Sequence, residues 1–597
     1  LGKDYSGNGN NWTPNNFSVT AGAGNDSLVD SPTSYGTDTG AGGTVRGNYA
    51  TLNPLKKKSV ATISNGNLNL NATSAVYVTG LSTISPSSGN YYMEMLCTGP
   101  NTNRPWGIGV VQSNASSDAS INDSNTYFVT NNSGSTVNYF LGATQTALST
   151  SSTWVVNDII SLAWNVDSGK FWVGLNGVWY PSSTGGTVAS NADVAAGNFP
   201  TFSISYSANT NPQVIPAFAT YDTTAPVDVN FGQRPFAYTA PSGFKALCTQ
   251  NLPTPTIGAT TATTADKFFT PVLYTGTGAS RSVTGLGFAP DLVWIKSRST
   301  ADNNWLFDKL RGVTNAIFSN TTAAENNYNG SLTAFNSDGF STGVEGGVNG
   351  SGQSMVAWNW KANGSGSTNT AGSITSTVSA NTTSGFSIVT YNGTGANATV
   401  GHGLGVAPSM IIIKSRSSAG TNWNSYHVSL GNSACIVLNL TIAAASGTSF
   451  FNATTPTSTV FSLGTDGSTN PSGAQQVAYC FAPIAGYSAF GSYTGNASAD
   501  GPFIFTGFKP AFVLIKSSTV VGSSWRLWDA KRSTYNVVNS SLFPNLSNAE
   551  VSTADYAIDF LSNGIKIRAA DDGQNYSGGT FIYAAFAEAP QKFSLAR

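Results

Sequence analysis

Charge is what this sequence has least of. Asp, Glu, Lys and Arg make up 9% of its 597 residues, against roughly 25% in an average soluble protein. The 27 basic and 28 acidic side chains leave a net charge of -1. That excludes a basic nucleic-acid binder, whose affinity would come from neutralising phosphates, and equally a polyacidic tail protein. Histidine is almost absent, with 2 residues, so imidazole acid–base chemistry and His-rich zinc sites have little material. The four cysteines, Cys97, Cys248, Cys435 and Cys480, are far apart and form no CxxC pair. They read as isolated buried thiols rather than a disulfide scaffold, with individual disulfides left open. No apolar run reaches the ~18 residues that span a bilayer, so no membrane insertion is expected. The chain opens on Leu1 without Met or a signal-peptide pattern, and reads as the mature or ordered part of something longer.

What is present points to β structure. Hydrophobic residues are 40% and aromatics 11%, enough for several packed cores, and they are interspersed with turn-forming Gly, Asn, Ser and Thr. At ~150 residues per domain the length suggests about four domains. Residues 1–58 read as an extended Gly/Asn-rich arm, with Trp12 and Phe17 as anchors on a neighbouring surface. The Lys56-Lys57-Lys58 run that closes it reads as a solvated turn.

Residues 59–247 carry strand-like runs: Tyr91-Tyr92-Met93-Glu94, Trp106-Gly107-Ile108-Gly109-Val110 and Ile159 to Trp164. Asp167-Ser168-Gly169-Lys170 is a turn, and Asn176-Gly177 before Val178-Trp179 is a strong hairpin signal, because both turn residues accept positive φ. The order of these motifs, through Asp158, Ser161, Trp164 and Trp172 to Val229-Asn230-Phe231-Gly232-Gln233, resembles a SPRY domain of the concanavalin A-like class. The resemblance implies two packed antiparallel sheets, a recognition surface made of loops, and no catalysis. Trp106, Trp164 and Trp172 read as core rather than ligand platform. No binding residue carries over from the resemblance, and the binding site is unknown at this point.

Residues 248–266, with Pro253-Thr254-Pro255, read as a semi-rigid linker. Three repeats follow, at 267–375, 376–484 and 485–597. Pro290, Lys296 and Trp305 recur 118 residues later as Pro408, Lys414 and Trp423. A further 102 residues on they recur as Pro510, Lys516 and Trp525. In each copy a Gly-rich turn leads into four apolar residues, a strand buried on both faces, closed by a Lys expected to snorkel outward. At ~110 residues each copy is long enough to hold its own core, so the expected arrangement is beads on a string. The fold class expected is all-β and multidomain: an extended arm, a SPRY-like β-sandwich and three homologous β-sandwich-like repeats.

Taken together, the Asp4-Tyr5-Ser6-Gly7-Asn8-Gly9-Asn10-Asn11-Trp12 opening, the Gly243 to Pro253 exit and the tandem repeats resemble virion structural proteins of marine bacteriophages. That resemblance implies a tail-fibre-like virion location, other virion proteins as partners and a homotrimer.

No constellation carries chemistry. There is no GxSxG, HExxH, Walker A or EF-hand pattern. Gly401-His402-Gly403 opens a strand, not a helix, so phosphate binding there is not expected; His402 and His427 stand alone. Asp308 and Asp529 follow their repeat's Trp, but the middle repeat has Trp423-Asn424-Ser425-Tyr426-His427 and no acid, which argues against the paired carboxylates of a glycosidase. Asp571-Asp572 reads as a surface turn, with calcium left open. No catalytic residue, metal or cofactor is expected. The leading functional expectation is a non-enzymatic virion surface protein, a tail fibre or adhesin contacting host-surface glycans or proteins. A purely structural capsid-decoration or tail component is the alternative, and a polysaccharide depolymerase the third.

Overall fold

A computed structural model describes residues 48–99, 106–115, 120–132, 136–151, 153–205 and 214–594. The anchors Trp12 and Phe17 lie outside the described residues. The protein is all-β and multidomain.

The N-terminal unit is a two-sheet sandwich of antiparallel strands. One sheet runs from the edge strand Leu52–Lys57 through Val78–Ser82, Val214–Thr220, Gly107–Gln112 and Thr126–Asn132 to Thr136–Leu141 and Thr144–Ser151. The other centres on Ile159–Asn165, Asn90–Cys97 and Val227–Asn230, with the Lys170–Leu175 hairpin on one side. Trp106, Trp164 and Trp172 are all fully buried. Glu94 of the Tyr-Tyr-x-Glu motif is buried too. It accepts from Tyr92 Oη at 3.0 Å and from the main-chain N–H groups of Ala237 and Tyr238 at 2.9 and 3.0 Å, strapping the 236–244 segment onto the second sheet.

Three expected boundaries move. Residues 52–57 are not arm but the edge strand just named, with Leu52 in the sandwich core. Pro54 obscures this in the sequence; its missing N–H is tolerated because the strand is an edge. The segment 248–266 is not a free linker: Cys248 bridges to Tyr49, Lys592 Nζ bonds the carbonyls of Gln250 and Leu252 at 2.9 and 2.6 Å, and Ile257 is fully buried among the repeats. Within the repeats, Ser367–Asn369 pairs with Ser376–Asn381 at the edge of the second repeat's sheet, so that sheet begins before residue 376.

Each repeat is a small sandwich. Its larger antiparallel sheet places the last strand between the first and the apolar strand: Phe269–Thr275, Ser354–Trp360 and Leu292–Ser297 in the first repeat. The corresponding strands are Phe386–Asn392, Gln475–Phe481 and Met410–Ser415 in the second, and Ser488–Thr494, Thr580–Pro590 and Phe508–Ser517 in the third. The apolar strand serves two cores. Val293 and Ile295 face the repeat's own interior, whereas Leu292 and Trp294 face a core shared by all three repeats. Ile411 and Ile413 divide from Met410 and Ile412 in the same way.

The repeats are therefore not beads on a string. Their larger sheets close around a pseudo-threefold axis. Trp360, Phe481 and Phe586 occupy one register position, opposite Leu292, Met410 and Phe512. Their rings meet with centroids 6.2, 5.8 and 5.7 Å apart, the offset and edge-on spacing aromatic rings prefer. Beside them is a wholly apolar void of about 30 Å³, a packing gap rather than a ligand site.

Strand register also corrects the Trp marker. Trp305 lies opposite Ile295, but Asn424 lies opposite Ile413 and Arg526 opposite Ile515. The position equivalent to Trp423 and Trp525 is thus Asn304. All three donate across a seam: Trp423 Nε1 to the Phe318 carbonyl at 2.9 Å, Trp525 Nε1 to Val437 at 3.0 Å, and Asn304 Nδ2 to Phe543 at 3.2 Å. Trp305 turns instead into its own repeat, against Phe318 and Tyr328. A one-residue slip sends a strand residue to the opposite face.

Candidate functional site

The side chains that might have carried chemistry sit on the seams between repeats. Asp308, His427 and Asp529 share one register position. Asp308 is fully buried; it accepts from Arg311 Nε at 2.5 Å and from Tyr479 Oη of the second repeat at 2.8 Å. Asp529 accepts from Arg532 Nε at 2.6 Å and from Trp358 Nε1 of the first repeat at 3.0 Å. Each arginine continues to a glutamate that a neighbouring repeat also holds: Arg311 to Glu325 to Arg416, and Arg532 to Glu550 to Arg298. Burial disfavours the charge on Glu325 and Glu550, yet the two arginines on each hold both carboxyls below the usual range.

The third seam has no ion pair among the described residues. Ala444 and Ser518 stand where the other seams have Glu and Arg, and only the main-chain bond from Ala444 N–H to the Ser518 carbonyl remains, at 2.9 Å. His427 replaces the aspartate. Its Nδ1 accepts from Ser429 N–H, which places the proton on Nε2, donated to the Tyr583 carbonyl at 3.1 Å. Burial pushes His427 down to about 4. His402 is tied in the same fashion, with Nδ1 on Leu404 N–H and Nε2 on the Thr457 carbonyl. Both imidazoles are engaged structurally.

The repeat lysines do not snorkel outward. Lys296, Lys414 and Lys516 are fully buried, and each crosses a seam to a carbonyl of the neighbouring repeat: Ser547, Thr322 and Thr441. Burial lowers all three to about 8. Asp571 caps the short helix Asp572–Asn575 and pairs with Arg526, so it is a structural carboxylate. No cluster of three or more His, Cys, Asp or Glu able to hold a metal occurs among the described residues. The four cysteines are buried and unpaired.

Sequence reasoning missed one buried residue per repeat. Asn349, Asn470 and Asn575 each donate to two carbonyls and accept a main-chain N–H, for Asn470 those of Ala396, Gly464 and Thr394. The signal was present as an Asn 11 residues before Trp360, Phe481 and Phe586 alike.

Openings remain at the boundaries between units. A cleft of about 320 Å³ lies between the sandwich and the third repeat, lined by Lys56, Asn114, Ser492, Thr494, Ser577 and Tyr583 among others. Lys56 is not in a solvated turn: it is 3% exposed, and its ammonium bonds the Ser113 carbonyl. A longer groove of about 750 Å³ runs between the 258–266 segment, the first repeat and the third, past Asp266, Lys531 and Tyr535, whose side chain is 78% exposed. The sandwich is seated firmly beside the cleft. Phe503 and Phe505 pack on the outer face of its first sheet, and Asn563 and Gln591 both donate to the Thr83 carbonyl at 2.9 Å.

A family model matches residues 264–590. The chain belongs to the family described as Domain of unknown function (DUF7483). The DUF7483 span takes in all three repeats. No curated protein matches the chain. Among solved structures, the SPRY domain of human HERC1 is similar at 16% identity and a TM-score of 0.23, covering 31% of this chain and 99% of that one. The TRIM65 PSpry domain is similar at 10% identity and a TM-score of 0.21, covering 31% and 92%.

Proposed function

We propose that this chain is a non-enzymatic virion surface protein of the tail-fibre or adhesin kind, contacting host-surface glycans or proteins. The observation that carries the reading is the division of labour among its polar groups. Buried Asp308, Asp529, Arg311, Arg532 and His427 are engaged in holding repeats together, and the cleft between the sandwich and the third repeat is lined, Lys56 apart, by uncharged residues that include Asn114, Ser492, Thr494, Ser577 and Tyr583. Such groups give adaptable hydrogen bonding and rigid amphipathic contact area. The bacteriophage setting rests on the sequence resemblance, as do other virion proteins as partners and a homotrimer.

The test is binding of the full chain to host cells and to extracted surface glycans, with reducing ends assayed in the same tubes. Saturable binding without new reducing ends is expected. New reducing ends would establish depolymerase activity instead. Absence of binding at high protein concentration would favour the second reading, a structural particle component. The covering of the sandwich's first sheet by the third repeat supports that alternative, since it removes a face from recognition.

A further inference from the structure

We propose that the cleft between the sandwich and the third repeat binds a carboxylated sugar unit, with Lys56 as the partner of the carboxylate. The inference deepens the adhesin reading and rests on it.

The reasoning starts from an inequality among buried ammonium groups. Six lysines are buried among the described residues: Lys56, Lys296, Lys414, Lys516, Lys566 and Lys592. Five have two or more partners. Lys296 and Lys516 each hold two acceptors, one of them across a seam, and Lys414 holds three. Lys592 holds two carbonyls, and Lys566 has the Leu55 carbonyl and Asp500. Among the described residues Lys56 has the Ser113 carbonyl alone, and no carboxylate pairs with it. An ammonium has three donors, and a buried charge without a counter-charge is costly. Lys56 is also the one of the six that lines the cleft. Its unpaired donors and its charge are thus available to an acid entering from outside.

The remaining walls select the rest of the ligand. Asn114, Ser492, Thr494 and Ser577 line the cleft, and their side chains have no partner among the described residues. They offer both donors and acceptors, as ring hydroxyls require. Tyr583 supplies an aromatic wall. It reaches there because residue 491 is glycine: a Cβ at Gly491 would lie 2.7 Å from Tyr583 Oη. At about 320 Å³ the space is at the small end of ligand sites, suited to a sugar unit rather than a long segment of polymer. A single point charge among uncharged polar groups favours one carboxylate over a polyanion.

The experiment is calorimetric titration of the full chain with galacturonate, with neutral galactose, and with inorganic phosphate. Saturable binding of the uronate at least tenfold tighter than the neutral sugar is expected, with phosphate failing to compete. Lys56→Met should abolish the tenfold preference. Should that variant not fold, Ser492→Ala with Thr494→Ala should weaken uronate binding several-fold, since neither hydroxyl has a structural partner among the described residues. Undiminished preference in Lys56→Met, or competition by phosphate as effective as by uronate, overturns the proposal. If surface glycans bind but uronates do not, this proposal falls and the adhesin reading stands. If no saccharide or cell surface binds, both fall.

Discussion

Phe586→Ala tests whether the three repeats stand or fall together. The Phe586 ring is 3% exposed and meets Phe269 and Trp360 of the first repeat, Phe481 of the second, and Phe490 and Phe512 of its own, with centroids 5.4 to 6.0 Å away. Truncating a buried Phe to Ala costs about 3–5 kcal/mol, and the cost rises with the cavity left behind. Here the new space would join the existing void of about 30 Å³, and rings fixed on three sheets have little freedom to close it, so the upper half of that range is expected. At ~1.4 kcal/mol per tenfold, opening equilibria should rise by about three orders of magnitude or slightly more. Native-state hydrogen exchange read by mass spectrometry resolves where. Peptides from Leu292–Ser297, Met410–Ser415 and Phe508–Ser517 should lose protection together. Loss confined to residues 485–594, with the first two repeats unchanged, would refute a shared core and restore independent domains.

Acid should act through His427 before it reaches the carboxylates. Its native value of about 4 lies below its unfolded value of 6.5, so between these the unfolded chain binds the extra proton. Stability is full above pH 6.5 and falls as pH drops toward 4, by about 3 kcal/mol at ~1.36 per unit. Urea unfolding across that range should show the fall, and His427→Gln should flatten it. The seam lysines carry the same sign at alkaline pH: with native values of about 8 against 10.5 unfolded, the unfolded chain again binds the extra protons, so they add stability as pH rises from 8 to 9, before buried thiols begin to oppose it. Lys56 is lowered to about 8 as well, so Lys414→Met should reduce the total rise by about a quarter. The Arg298–Glu550 pair links the first and third repeats at 2.8 Å with both side chains mostly buried; a double-mutant cycle should return a coupling of about 1–3 kcal/mol. The more exposed Lys509–Glu588 pair should return under about 1 kcal/mol. Burial raises the Cys435 thiol to about 12, and all four cysteines are buried, so a thiol reagent should label none in the native protein and four in denaturant.

Some of the architecture is readable in residue order alone. Composition determined the all-β class, because few charges and many β-branched, aromatic and turn residues fit little else. The offsets that Pro290, Pro408 and Pro510 share with Lys296, Lys414 and Lys516, 118 residues and then 102, determined that three copies of one unit exist. The unbroken apolar runs Leu292–Ile295 and Met410–Ile413 determined strands buried on both faces. What a run of this kind does not carry is the identity of the partner on each face. A core inside one repeat and a core shared by three demand the same residues, and only the closure of the sheets assigns Val293 to one and Trp294 to the other. The same ambiguity hid the lysines. A Lys ending a strand has a stem long enough to reach solvent or a neighbour's carbonyl, and the seam decides which. Asp308, His427 and Asp529 look unrelated in sequence because their partners lie on another repeat: Tyr479, the Tyr583 carbonyl and Trp358. Each seam solved the same register position with its own donor and acceptor. Lys56 is the extreme case. Within Lys56-Lys57-Lys58 nothing distinguishes the first lysine; only the docking of the third repeat onto the sandwich turns it into a buried charge facing an open cleft.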